Sequence, residues 1–232
     1  MRNDLIAKNV ARLQGAPAVD DEEVQIVAKE RINELVGKLR GRATYARAIT
    51  SLFTGLRRGE VLALRWMNVD LDGKLILVRE ALEETRAHGR QVKAPKTKAG
   101  KRDVSLPEIV IDALRDHRKR QLELRVALGL GKLGDDALVF PPTLKGGYQS
   151  PRTFSKDWAQ VAASIGFAGL SFHGLRHAHA SQLIDSGKVD ISKRLGHASP
   201  NITLKVYAYL FRKDDSKAAD AINATLAGPG AS

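Results

Sequence analysis

The sequence has no cysteine. That excludes a disulfide framework, cysteine-ligated zinc and a thiol nucleophile. It also lacks a long apolar run. The opening stretch MRNDLIAKNVARLQ is too polar for a secretory signal, and nothing further along approaches the length of a membrane span. A cytoplasmic protein with no membrane partner is the expectation. Acidic residues are in deficit, 26 Asp+Glu against 38 Lys+Arg, leaving a formal charge of +12. An excess of that size attracts polyanions, and nucleic acid is the first partner to consider. There is no P-loop and no carboxylate cluster of metal-binding type, so no nucleotide or metal cofactor is expected. One motif is present without its context. Gly129-Leu130-Gly131-Lys132-Leu133-Gly134 matches GxGxxG, but it follows a helical pattern, whereas a dinucleotide site needs a strand before it and a helix after it. It reads as a glycine-rich helix exit.

What is present suffices for one sizeable core: 232 residues, 43% of them hydrophobic. Asp20-Asp21-Glu22-Glu23 sits where a helix macrodipole favours acids, and Val24, Val27, Ile32, Leu35, Val36 and Leu39 follow at helical spacing up to Gly41. Helices are predicted over 43–54 and 56–64, and a strand over 75–78. Two more strands are expected between 81 and 106 around a mobile hairpin, the second an edge strand over 103–106. A long helix starts at Pro107-Glu108 and runs to 128; its His117-Arg118-Lys119-Arg120 run reads as a solvated face. A short strand over 138–140 precedes a helix opened by Ser150-Pro151 and ending near 165. Helices over 175–186, 190–195, 200–211 and 215–226 complete the chain before a Gly/Pro/Ser tail. The fold class is mainly α with a small antiparallel β-sheet (α+β).

The chemistry concentrates between Ser171 and Phe211: His173-Gly174-Leu175-Arg176, then Leu195-Gly196-His197, then Tyr207. Imidazole, guanidinium and phenol are the parts needed to hold and attack a phosphodiester. A phenol with an ordinary pKa of about 10 needs a base or strong electrostatic help at neutral pH. Forked guanidinium groups match the charge on two non-bridging oxygens, and a lysine or histidine can protonate the leaving 5′-oxygen. Each residue also has a structural reading. Tyr207 shares an apolar helical face with Leu204, Ala208 and Phe211. His173 and His177 have a zinc-compatible spacing, but no third ligand accompanies them.

Four segments in order decide between these readings: Thr54-Gly55-Leu56-Arg57-Arg58-Gly59-Glu60, His173-Gly174-Leu175-Arg176-His177, Leu195-Gly196-His197 and Thr203-Leu204-Lys205-Val206-Tyr207. Together they resemble the motif series of the tyrosine recombinases, the phage integrase family, and the likeness covers the chain from about Asp20 to Phe211. The resemblance implies the DNA breaking-rejoining fold, a 3′-phosphotyrosyl intermediate, and strand exchange without metal or ATP. It makes Tyr207 the nucleophile, Arg57 and Arg176 the catalytic arginines, and His173 an acid/base. His197 becomes a donor to a non-bridging oxygen and Glu60 a brace. Pro95-Lys96-Thr97-Lys98 resembles the hairpin that carries the general-acid lysine: Lys96 is the first choice, Lys98 the alternative. Arg58, Lys93, Lys98, Lys101 and Arg102 are expected to face double-stranded DNA. The family implies a homo-oligomer, a tetramer, on paired sites, with accessory DNA-bending proteins as possible partners.

The resemblance departs in three places. Tyr209 stands two residues after the nucleophile, where many relatives have histidine. The segment from Gly187 to Leu195 is shorter than usual. The helical domain that normally precedes the catalytic one is reduced to a remnant and linker at 1–19, leaving the catalytic domain at 20–213 and a C-terminal helix and tail at 214–232. A type IB topoisomerase and a non-cleaving DNA-binding module remain as alternatives.

Overall fold

The computed structural model describes residues 27–85, 87–95, 97–144, 146–186 and 191–196. Among them are seven α-helices and two antiparallel sheets: α1 (Ile32–Leu39), α2 (Tyr45–Thr54), α3 (Arg58–Ala63), β1 (Val69–Asp70), β2 (Leu75–Val78), β3 (Ala81–Thr85), β4 (Gly89–Lys93), β5 (Arg102–Ser105), α4 (Glu108–Ala127), α5 (Pro151–Ser164), α6 (Phe172–Ser186) and α7 (Ile191–Leu195). This is the α+β class expected. No helix among the described residues is long and apolar enough to cross a membrane.

Helix α2 organises the core, packing on both α4 and α6. Its Ile49 and Leu52 are fully enclosed, as are Leu35 and Leu39 of α1 and Ile111 and Leu114 of α4. Gly55 ends α2 in the left-handed region at φ 68°, its N–H donating to Ser51 O. A β-carbon there would lie 2.6 Å from the His179 ring and 2.7 Å from Leu195, so glycine is required twice over. Helix α6 is seated by Phe172, whose ring meets Phe154 and Trp158 edge-on at 4.7 and 5.4 Å. The α6 helix opens at Phe172, earlier than the expected 175. The Ser171 hydroxyl accepts from the Gly174 N–H at 3.0 Å, a local cap that keeps Gly174 in the first turn, where its flexibility costs least.

Four other boundaries differ from expectation. Val27 and Ala28 are not helical; Ala28 is extended (ψ 144°) and a short 3₁₀ turn at Lys29–Arg31 leads into α1. The early region holds three strands after β2 where two were expected, and two sheets where one was: β1-β2-β5, and the hairpin β3-β4. Pro95 and the turn at Lys98–Gly100 separate β4 from β5, and proline has no N–H to continue a ladder. Residues 138–140 form only a single bridge, Leu138 to Arg65, although all three side chains are buried; their apolar character serves burial. Finally, His117 is half-buried and does not belong to the solvated face. It lies between Trp66 and Phe140, its Nε2 2.6 Å from Val139 O, while Arg118, Lys119 and Arg120 are exposed. The glycines at 129–134 do form a helix exit, gathered by the Arg125 guanidinium, which donates to the carbonyls of Leu130, Gly131 and Lys132. Residues 200–211 and 215–226 lie outside the described residues.

Candidate active site

Arg57 occupies the N-cap of α3 in an extended conformation, φ −68° and ψ 153°. Three residues on, Glu60 folds back: Oε2 accepts from the Arg57 backbone N–H at 2.7 Å and Oε1 from Arg57 Nη1 at 3.1 Å. The other face of the carboxylate is taken by Arg102, Nη1 to Oε1 and Nη2 to Oε2, both at 2.9 Å. That is the forked pairing for which guanidinium and carboxylate are matched. Burial alone would raise the Glu60 pKa, but the hydrogen bonds and charges of Arg102 and then Arg57 outweigh it and hold the carboxyl below its ordinary range.

The end of α7 closes the site. Arg102 Nε donates to Arg194 O at 2.8 Å, Arg176 Nη2 to Leu195 O at 2.6 Å, and Arg57 Nη2 to Gly196 O at 3.0 Å. Three guanidinium groups thus take three successive carbonyls at the negative end of one short helix. Arg176 also donates to Gly55 O, tying α6 to the end of α2. Gly196 has φ 65°, and a β-carbon there would approach Ala99 O and Arg102 Nη1 at 2.9 Å.

His173 lies in the first turn of α6, beside a cleft of about 490 Å³ lined also by Arg57, Arg58, Ser155 and Ser171. Arg58 Nη1 donates to Ser155 Oγ at 2.7 Å across it. The His173 and His177 rings stand perpendicular at 4.6 Å. His173 reaches solvent, but crowding by protein atoms, then the charges of His177, Arg176, Arg57 and Arg58, lower its pKa to about 4. At neutral pH it is therefore a base. His177 is lowered by burial and by Arg176. His179, which accepts from Arg194 Nε at 3.1 Å, falls to about 3 through burial, Arg194 and Arg176.

Of the residues expected at the site, Arg57, Glu60, His173 and Arg176 come together here. Lys96, His197 and Tyr207 lie outside the described residues, as does the Lys98 side chain. Arg58 and Lys101 are exposed, and Lys93 pairs with Glu83 at 3.5 Å. Arg102 corrects an expectation: at 7% exposure, with its guanidinium turned inward, it is not a surface cation. His179 and Arg194 escaped sequence reading altogether, and Gly196 was read only as part of the Leu195-Gly196-His197 motif.

A family model described as the phage integrase family matches residues 25–213. The chain belongs to the phage integrase family. It is 27% identical over 235 residues to a "Tyrosine recombinase XerC-like" of Caldanaerobacter subterraneus subsp. tengcongensis, covering 96% of this chain and 60% of that one. It is 29% identical over 180 residues to the "ICEBs1 integrase" of Bacillus subtilis, covering 76% of this chain and 47% of that one. This family member thus spans roughly half to three-fifths of the length of such curated relatives. Among solved structures, its fold is that of the Tn1549 transposon integrase in complex with transposon right end DNA (TM-score 0.68, 18% identity, 92% of this chain and 71% of that one). XerA recombinase shares it too (TM-score 0.63, 20% identity, 87% and 66%).

The buried histidines make the integrase domain acid-sensitive. His179 has a folded pKa of about 3 against 6.5 for the unsupported group. The unfolded state therefore binds the extra proton between those values, and stability is full above about pH 6.5 and is lost as pH falls towards the folded value. The thermal midpoint should fall steadily from pH 7 to pH 4.5, and more gently in His179→Gln. Scanning calorimetry across that range measures both slopes.

Proposed function

We propose that this chain is the catalytic domain of a site-specific DNA recombinase that integrates or excises a mobile element. The observation that carries the reading is the convergence of Arg57 and Arg176, distant in sequence, on adjacent carbonyls of α7 beside a cleft lined by a neutral histidine. Family membership supports the same chemistry. In this reading the Tyr207 phenol gives its proton to His173 and attacks the scissile phosphorus. The bond to the 5′-oxygen breaks, that oxygen takes a proton from Lys96 (or Lys98), and a 3′-phosphotyrosyl ester retains the bond energy. A 5′-hydroxyl from a second strand then reverses the step, so neither ATP nor metal is consumed. Arg57, Arg176 and His197 would hold the non-bridging oxygens. Arg57, with 40% of its side chain exposed, is open to a phosphate as it stands. Arg176, 2% exposed, must share or exchange a carbonyl acceptor to reach one. Arg58, Lys93, Lys98 and Lys101 would contact the duplex backbone. We assign the catalytic domain to 20–213, acting in the cytoplasm as a tetramer on paired sites with possible DNA-bending partners.

The test is covalent capture. Nicked suicide duplexes tiled across the DNA flanking the gene should yield, on a denaturing gel, a protein–DNA adduct resistant to boiling in detergent. Noncovalent binding without any adduct would instead identify a DNA-binding module, and relaxation of site-free plasmid a topoisomerase.

A further inference from the structure

We propose that Arg102 is a positioning residue for strand cleavage, acting through Glu60 on Arg57 and holding the end of α7 against the strand that follows the lysine-bearing hairpin. The proposal rests on the recombinase reading for its catalytic consequence and on geometry for the rest. In β5 the inward residues alternate, Arg102 and Val104 buried, Asp103 and Ser105 exposed. The guanidinium consequently enters the core face, where no phosphate backbone reaches it, and its donors are spent on three separate segments. They meet the Glu60 carboxylate of α3, the Arg194 carbonyl of α7 and, at 3.3 Å, the Gly100 carbonyl of the turn below the hairpin.

The consequence for Arg57 follows from Glu60. That carboxylate is 3% exposed and accepts two hydrogen bonds from Arg57 and two from Arg102. Freed of Arg102, it could turn about its side-chain bonds, and the Arg57 guanidinium would lose a fixed acceptor. Arg57 is also bonded to Gly196 O, the residue packed against Arg102 Nη1, so both ends of its anchorage depend on one buried fork. A lysine at 102 keeps the charge but cannot serve two oxygens and a carbonyl in fixed directions.

Two measurements on the full chain decide the matter. The first needs no DNA substrate. Guanidinium ¹H–¹⁵N spectra, with Arg57 assigned from R57K, should show slowly exchanging Arg57 signals in the parent. In R102K these should be lost while the far-ultraviolet dichroism is kept. E60Q breaks the same chain at its middle and should give the same loss, so the test survives if R102K folds poorly. Arg57 signals unchanged in a folded R102K or E60Q overturn the proposal. The second uses the tiled suicide duplexes. At saturating DNA, the single-turnover rate of adduct formation in R102K should fall by about 10²-fold, as small displacements of a positioned group do. DNA affinity should stay within about twofold, because no phosphate contact is removed. Weaker affinity with a shallower salt slope and an unchanged saturating rate would make Arg102 a DNA-contacting cation and overturn the proposal. A parent chain that forms no adduct counts against the recombinase reading, and the spectra still decide whether Arg102 positions Arg57.

Discussion

Tyr207→Phe should abolish the covalent adduct completely while leaving noncovalent affinity for DNA within about twofold, since one hydroxyl is lost and no charge. On the helix expected over 200–211, residues two apart would stand about 200° around the axis from each other, which would turn the two phenols to different sides. Tyr209→Phe should therefore retain the adduct. Denaturing gels with both variants on one suicide duplex give the answer directly; an adduct kept in Tyr207→Phe and lost in Tyr209→Phe would transfer the role of nucleophile. Tyr207 is singled out by the spacing of Thr203-Leu204-Lys205-Val206-Tyr207 behind Leu195-Gly196-His197.

Glu60→Ala should have the largest effect on stability, a loss of about 3–5 kcal/mol. The cause is the charge left behind. Arg102 is 5% exposed at its side chain and would remain buried without its carboxylate, while Arg57 would lose the acceptor for its backbone N–H. For a domain of this size the loss corresponds to a fall in melting temperature of roughly 6–20 °C. Glu60→Gln should lose less, because the amide keeps one oxygen for the fork. Equilibrium denaturation of the two variants measures the difference. The stability that Glu60 contributes is present above the ordinary glutamate pKa of 4.5 and disappears as pH falls through its lower folded value. Acid should therefore narrow the gap between Glu60→Ala and the parent.

How much of this was legible in the sequence depended on how local each cause was. Strand 75–78 and the helix opened by Ser150-Pro151 were read nearly to the residue because apolar clustering and capping act within a few positions. The helix expected from Asp20 failed at Val27 and Ala28, since periodicity cannot register that the backbone there is extended. Leu138-Val139-Phe140 has the composition of a strand, but pairing needs a neighbour and only Arg65 supplies one. Arg57, Glu60, His173 and Arg176, which the structure brings together, could be singled out because their motifs are contiguous. Arg102 was misread because it stands in a run of cations, and such runs usually face solvent. The contrary signal was available: Arg102, Val104 and Leu106 alternate on what proves to be the buried face. The partnership of His179 with Arg194 left no sequence signal, being a tertiary contact between two residues of ordinary local pattern.

The hydrogen bonds that close the site are nearly all between residues distant in the chain. Arg57 reaches Gly196 across 139 positions, Arg176 reaches Gly55 across 121, and Arg102 reaches Arg194 across 92. Contacts of such separation form late in folding, after the loops between them have closed. During synthesis, α2 and α3 leave the ribosome long before α6 and α7, and of the ties at Arg57 only those to Glu60 can form early. A nascent or truncated chain thus carries these arginines before the α7 carbonyls that gather them have been made. The order of translation itself keeps the arginine cluster unassembled until α7 has arrived.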